Sequence, residues 1–168
     1  MTNNEQYEIA TFAAGCFWGV QDYFDQVPGV INTEVGYTGG HTKNPSYEDV
    51  CTDKTGHAEA IEITYDPEKA DYNILLKHLF KMHDPTQYMR QGPDTGSQYR
   101  SAIFYHSDEQ KEMAEKYIDF LNGTSAYDTE IVTQIEEAGE FYKAEEYHQK
   151  YTQKTGLGGC HIKYGPLS

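Results

Sequence analysis

Cys16 stands in the run Gly15-Cys16-Phe17-Trp18-Gly19. An apolar stretch, Ile9 to Ala14, precedes it, and Phe17, Val20, Phe24 and Val27 follow at the i, i+3, i+7, i+10 spacing of one helix face. The thiol therefore sits where a strand turns into a helix. The first turn of a helix presents backbone N–H groups without helical partners and the positive end of the dipole. Such a place favours a thiolate and draws a cysteine's pKa toward neutrality. Gly15 permits the sharp turn, and the two glycines leave the sulfur uncrowded. A buried cysteine acting as a small hydrophobe is the ordinary alternative.

A thiolate needs partners, and three other positions offer them. In the alternating run His57 to Tyr65, Glu59 shares its side with Ile61, Ile63 and Tyr65, while Ala58, Ala60, Glu62 and Thr64 take the other. A carboxyl on an apolar face favours its neutral form and can donate a proton near pH 7; an exposed charge at a strand end is the plainer reading. Tyr37 and Tyr99 each stand at the end of a predicted strand bordering a polar or Gly-rich loop, one with Val35 and Ile31, the other with Ile103. An inward phenol there can hydrogen-bond a substrate oxygen, although ordinary packing explains most tyrosines. Cys160 lies in a glycine-rich C-terminal arm, Thr155-Gly-Leu-Gly-Gly-Cys-His-Ile162, where it can swing onto another sulfur. Nucleophilic thiolate, sulfenic acid, disulfide and reduction by an external dithiol then form a closed cycle. Cys51 has no such context and reads as a bystander.

The elements that must place these groups follow from pattern. Residues 7–14 read as a strand, 16–26 as a helix ending before Pro28-Gly29, 30–37 as a strand and 41–55 as a polar loop. Residues 57–65 form the next strand. The stripe Tyr72, Leu75, Leu76, Leu79, Met82 marks a helix over 71–82. Residues 84–96 lack periodicity and read as a long functional loop; a cleft between the 84–98 loop and Gly39-Gly40 is expected to hold the site. Residues 99–105 read as a strand. Ser107 and Gln110 form a capping box for a helix reaching about Leu121, stopped by Asn122-Gly123. Residues 129–136 are the expected last strand and 144–154 a short helix. This order predicts a single α/β (α+β) domain over 1–168: a mixed central sheet with packed helices, a core at about 6–154 and a mobile arm from 155 to 168.

Composition narrows the partners. Thirteen Lys plus Arg face 27 Asp plus Glu, a formal net charge of −14, which argues against a nucleic-acid backbone as ligand. No run of about 18 apolar residues suggests a membrane span, and residues 1–10 do not look like a signal peptide. Three scattered cysteines suit a reducing cytoplasm better than a secreted disulfide scaffold. Seven histidines invite a metal, but no C-x-x-C or H-x-x-x-H spacing accompanies them, so no metal is expected. No Walker-type or G-x-G-x-x-G run supports a nucleotide cofactor. Histidines 57, 78, 83, 106 and 148 read as solvent-facing or satisfied by neighbours.

The motifs in their order resemble the peptide methionine sulfoxide reductase A family. The pieces are Gly15-Cys-Phe-Trp-Gly19, Gly36-Tyr-Thr-Gly-Gly40, Pro45-Ser-Tyr-Glu48, Gly56-His-Ala-Glu-Ala60, Asp84-Pro-Thr86, Arg90-Gln-Gly-Pro-Asp-Thr-Gly-Ser-Gln-Tyr-Arg-Ser101 and Phe141-Tyr-x-Ala-Glu-x-Tyr-His-Gln149. They run from residue 15 to about 160. The resemblance implies reduction of the S epimer of methionine sulfoxide, free or in proteins. Cys16 would be the nucleophile and Glu59 the acid, aided by hydrogen bonds from Tyr37 and Tyr99. Phe17 and Trp18 would hold the substrate methyl group, Asp94 would support the pocket, and Cys160 would resolve the intermediate. Thioredoxin would recycle the disulfide, with no bound cofactor, and a monomer is expected. Met89 departs from the family's usual asparagine, and the tail carries one cysteine where some members have two. The rival readings are another cysteine-based peroxidase or disulfide oxidoreductase, and a non-catalytic methionine-binding module.

Overall fold

The computed structural model describes residues 7–157. Cys160 and most of the expected arm lie outside them. β1 (Glu8–Ala14) enters the centre of the sheet with its last five residues buried. Gly15, at φ 94°, turns the chain into α1 (Phe17–Phe24), whose N-cap is Cys16. β2 (Val30–Thr38) follows, and α2 (Tyr47–Cys51) lies in the connection to β3 (Ala58–Tyr65). β3 inserts between β1 and β2, antiparallel to both.

α3 (Tyr72–Met82) begins at Asp71, whose carboxylate accepts from the Ile74 amide, a capping bond of the kind worth about 1 kcal/mol. β4 (Arg90–Gln91) and β5 (Asp94–Thr95) pair as a separate small ribbon. A 3-10 turn at Ser97–Tyr99 then leads into β6 (Ser101–Tyr105), antiparallel to β1. α4 (Asp108–Asn122), β7 (Gln134–Glu137), β8 (Tyr142–Lys143) and α5 (Tyr151–Thr155) complete the described chain. The six-stranded order is β7-β6-β1-β3-β2-β8, with β7 parallel to β6 and the other pairs antiparallel. The expected mixed α/β architecture is the one observed.

The two sheet faces differ in residue size. One carries Phe12, Val35, Ile61, Ile63 and Ile103 and is covered by α1 and α3, which bury Phe17, Val20, Phe24, Leu75, Leu76 and Leu79. Each such side chain contributes about 2 kcal/mol by leaving water. The other face is lined by Ala13, Ala58, Ala60, Ala102 and Phe104, with Phe141 and Ala138 laid on it. Period two along β3 puts Glu59 on the larger, helix-covered face, level with the start of α1.

Several boundaries depart from expectation, each for a local reason. Ile31 does not share the face of Val35 and Tyr37: a bulge between Val30 and Asn32 resets the register, leaving Ile31 47 % exposed and turning Thr33 inward. Within 41–55, Ser46 and Asp49 form a reciprocal capping box that starts α2. Ser107 does accept from the Gln110 amide, but the Gln110 carboxamide oxygen accepts from the His106 amide, so that box is only half made. The 129–136 strand shrinks to Gln134–Glu137. The expected 144–154 helix splits into a 3-10 turn at Glu146–His148 and α5, because Lys150 takes a left-handed conformation at φ 58°.

Candidate active site

Three elements converge on the half-buried Cys16. The strand-to-helix turn places it at the start of α1, and β3 delivers Glu59 beside it. The Phe17 amide, next in sequence to Cys16, donates to Glu59 Oε1 at 3.2 Å. Glu59 is 1 % exposed, and its Oε2 has no hydrogen-bond partner among the described residues. Burial pushes its carboxyl up to about 8; the Phe17 amide opposes this, and the charge of Asp94 adds to it. The site thus holds a neutral carboxylic acid at pH 7 with one oxygen anchored and the other without a protein partner. A buried polar atom left in this way favours a ligand that supplies its bond.

The tyrosines sort differently from the expectation. Tyr37 pairs directly with Glu59 in the β2–β3 register, yet it is fully buried and its hydroxyl donates to Glu145 Oε1 at 2.9 Å. It is committed to that carboxylate rather than offered to a substrate. Tyr47, on α2, is half-buried, and its hydroxyl is held well above the usual phenol range by burial and then by Glu59, Tyr99 and Cys51. Tyr99 is also half-buried and raised, by burial first and then by Glu59, Asp94, Cys16 and Cys51. It lies on the 97–99 turn and not on a strand with Ile103; its amide bonds to the Gly96 carbonyl at 3.0 Å, closing the turn. Cys16, Glu59, Tyr47, Tyr99 and Asp94 therefore share one electrostatic neighbourhood, with Cys51 at its exposed edge. Tyr47 was legible only as part of the Pro45-Ser-Tyr-Glu48 motif, since a five-residue helix leaves almost no periodicity.

A second layer, also missed, comes from 144–151. Glu145 Oε2 accepts from the Tyr47 amide at 2.9 Å, so one carboxylate joins Tyr37 to the start of α2. Burial works against its ionisation, but these bonds outweigh it and keep Glu145 below the usual carboxylate range. His148 is fully buried, and its Nδ1 accepts from the Trp18 indole N–H at 2.8 Å. Burial lowers its pKa, so the ring is neutral and Nε2 carries its hydrogen, 3.9 Å from Glu145 Oε1. Trp18 stacks on Tyr151 at 3.9 Å between ring centres and remains part-exposed, while Phe17 is buried against Tyr37 and His148. Gln149 locks the segment down by donating to the Val35 carbonyl and accepting from its amide. His148 is thus only half satisfied, its Nε2 having no hydrogen-bond partner among the described residues, whereas the other histidines singled out have partners: His57 binds the Gly40 amide, His78 pairs with Tyr23, His83 with Ser101 and His106 with Thr11.

On the Gly39-Gly40 side of the expected cleft the packing is tight. A Cβ on Gly39 would meet Phe104 and Arg100, and one on Gly40 would meet the His57 backbone, so this loop is packed shut. The other side of that cleft, the 84–98 loop, does contribute: the candidate groups lie between α1, α2 and the 94–99 segment. A cavity of about 670 Å³ between the end of α3, residues 84–93 and residues 126–129 contains none of them. No cluster of three or more metal-binding side chains occurs among the described residues. No helix among them is long and apolar enough to cross a membrane.

The family model for peptide methionine sulfoxide reductase matches residues 8–168. The chain belongs to the peptide methionine sulfoxide reductase A family. It is 55 % identical over 157 residues to the MsrA of Methanothermobacter thermautotrophicus, covering 94 % of this chain and 93 % of that one. Among solved structures it is similar to methionine sulfoxide reductase A of Corynebacterium diphtheriae, with 37 % identity, a TM-score of 0.80, and coverage of 95 % and 84 % of the two chains. It is also similar to Mxr1 of Saccharomyces cerevisiae, solved in complex with Trx2, at 26 % identity and a TM-score of 0.58, covering 90 % and 88 %. The protein is accordingly an oxidoreductase that reduces methionine sulfoxide.

Proposed function

We propose that Cys16, Glu59, Tyr47 and Tyr99 carry out the reduction, and the observation that supports this most is the unpartnered Oε2 of a buried, neutral Glu59 beside the amide that follows Cys16. The Cys16 thiolate attacks the sulfoxide sulfur while Glu59 delivers its proton to the oxygen. The resulting S–S-bonded adduct collapses as its hydroxyl passes from the substrate sulfur to the Cys16 sulfur: the S–S and S–O bonds to the substrate break, methionine leaves, and Cys16 becomes a sulfenic acid. A sulfoxide is a poor electrophile until its oxygen accepts a proton or strong hydrogen bonds, so the phenols of Tyr47 and Tyr99 complete a three-donor cradle. Trp18, oriented by His148 and Tyr151, forms the apolar wall for the substrate methyl group with Phe17 behind it, and Asp94 borders the pocket.

Cys160 then attacks the sulfenic sulfur, water departs, and a Cys16–Cys160 disulfide forms. Reduction of that disulfide by an external dithiol closes the cycle. Thioredoxin is the reductant proposed, in line with the yeast relative's complex with Trx2. The S epimer is the proposed substrate, no bound cofactor is needed, and a reducing cytoplasm and a monomer fit the scheme.

The test is a stoichiometry. Reduced enzyme without added reductant, given each pure epimer of a methionine sulfoxide peptide, should form one methionine and lose two thiols with the S epimer alone. Methionine from neither epimer would refute the scheme. The tyrosine assignment has its own check. Tyr37→Phe should cost about 1 kcal/mol of stability, because Glu145 loses a donor, and leave the first-turnover rate within about twofold. Tyr47→Phe should do the reverse, slowing methionine formation by about tenfold with little change in the unfolding midpoint. A slower first turnover in Tyr37→Phe alone would return the donor role to Tyr37.

A further inference from the structure

We propose that Asp53 is a positioning residue for the reaction: it ties the end of the Tyr47 helix to the start of the Tyr99 turn and so sets the spacing of the two phenols. This rests on the reading of Tyr99 as a donor to the sulfoxide oxygen. Asp53 follows the C-cap of α2, and its own amide bonds to the Val50 carbonyl at 3.0 Å. Its carboxylate reaches the 97–99 turn. Oδ1 accepts both the Ser97 amide, at 3.0 Å, and the Ser97 hydroxyl.

The Ser97–Tyr99 turn needs this bond. Its N-cap is Gly96, which has no side chain to offer, so the Ser97 amide would otherwise lack a capping acceptor. Asp53 supplies the cap from 44 residues away. It does so from a left-handed backbone at φ 63°, where glycine would be less strained. An aspartate tolerates that conformation better than most residues and adds the carboxylate that the turn lacks. The turn is further closed by Arg100, whose guanidinium donates to the Ser97 carbonyl at 2.9 Å. Ser97, and with it the turn that carries Tyr99, is thus held by the Asp53 cap at its amide and by the Arg100 guanidinium at its carbonyl, and Asp53 links this turn to the end of α2.

The experiment measures first-turnover methionine formation by the full chain from an S-sulfoxide peptide at saturation, with the unfolding midpoint measured alongside. Asp53→Gly relieves the backbone and removes the acceptor, so folding is preserved. It should slow formation by about fivefold, the size expected for losing an exposed hydrogen bond. Asp53→Asn keeps an acceptor without the charge and should stay within about twofold of the parent, which separates positioning from a field effect. In a Tyr99→Phe background, Asp53→Gly should add less than about a further twofold. Full activity of Asp53→Gly, or an undiminished fivefold loss in the Tyr99→Phe background, would overturn the proposal. Should Tyr99→Phe itself leave the rate unchanged, the donor reading of Tyr99 fails, and the positioning role fails with it.

Discussion

Serine in place of Cys16 should abolish methionine formation, whereas serine in place of Cys160 should leave one equivalent per enzyme and then halt. The two losses separate because the residues act at different bonds. A serine hydroxyl has no accessible anion near neutral pH, so the attack on sulfur disappears at its first step. Cys160→Ser leaves that step intact and removes only the thiol that condenses with the sulfenic acid. With thioredoxin as reductant, the burst of one methionine should be normal in rate and steady-state turnover should fall to a trace. Continued turnover would point to Cys51, an exposed thiol at the rim of the same site, as the second sulfur. Adding Cys51→Ser to Cys160→Ser and counting methionine decides between that route and direct reduction of the sulfenic acid.

The Glu59 carboxyl should matter almost as much. General acid catalysis is worth about 10²–10⁴ in rate, so Glu59→Ala is expected to slow methionine formation by that factor. Glu59→Gln should lose far less, since an amide N–H can still hydrogen-bond the sulfoxide oxygen. Activity of Glu59→Ala equal to wild type would remove the acid role. The pH profile gives an independent check. With the carboxyl pushed up to about 8 by burial, the wild-type first-turnover rate should decline above that pH, and the Gln variant should lack this alkaline limb.

Stability should move in the same window. The folded carboxyl holds its proton more tightly than the unfolded one, whose value is near 4.5. The protonated group's contribution is therefore complete below about pH 4.5 and is lost as pH rises toward 8. Glu59→Gln has no such proton to lose, so it should gain on wild type between denaturant midpoints taken at pH 5 and pH 8. Equal shifts for the two proteins would mean that Glu59 titrates normally.

The burial that raises Glu59 also explains the packing around it. A carboxyl in a sheet face of Ile61, Ile63 and Tyr65 destabilises the charged form, and α1 closes over it with Phe17. The helix that supplies Cys16 is thus the lid that dries Glu59. In the proposed scheme, nucleophile and acid therefore come from the two sides of one packing contact.

What the sequence alone determined was local. Alternation along 57–65 assigned Glu59 to the apolar side, and helical spacing after Gly15 put Cys16 at a helix start; both rules act within a few residues. The α3 stripe was equally plain, because Leu75, Leu76 and Leu79 are buried by one periodic face. Tertiary structure decided which partners those groups meet. Tyr37 satisfies the same alternation as Glu59, yet Glu145, 108 residues later, claims its hydroxyl. The Trp18 indole is oriented by His148, 130 residues away. Tyr99 belongs to a turn capped by a carboxylate from another loop, and Ile31 is turned outward by a bulge. Periodicity reports the side on which a residue lies. Which polar atom waits there depends on sheet register and loop closure, and these emerge only when distant segments compete for the same buried donors and acceptors.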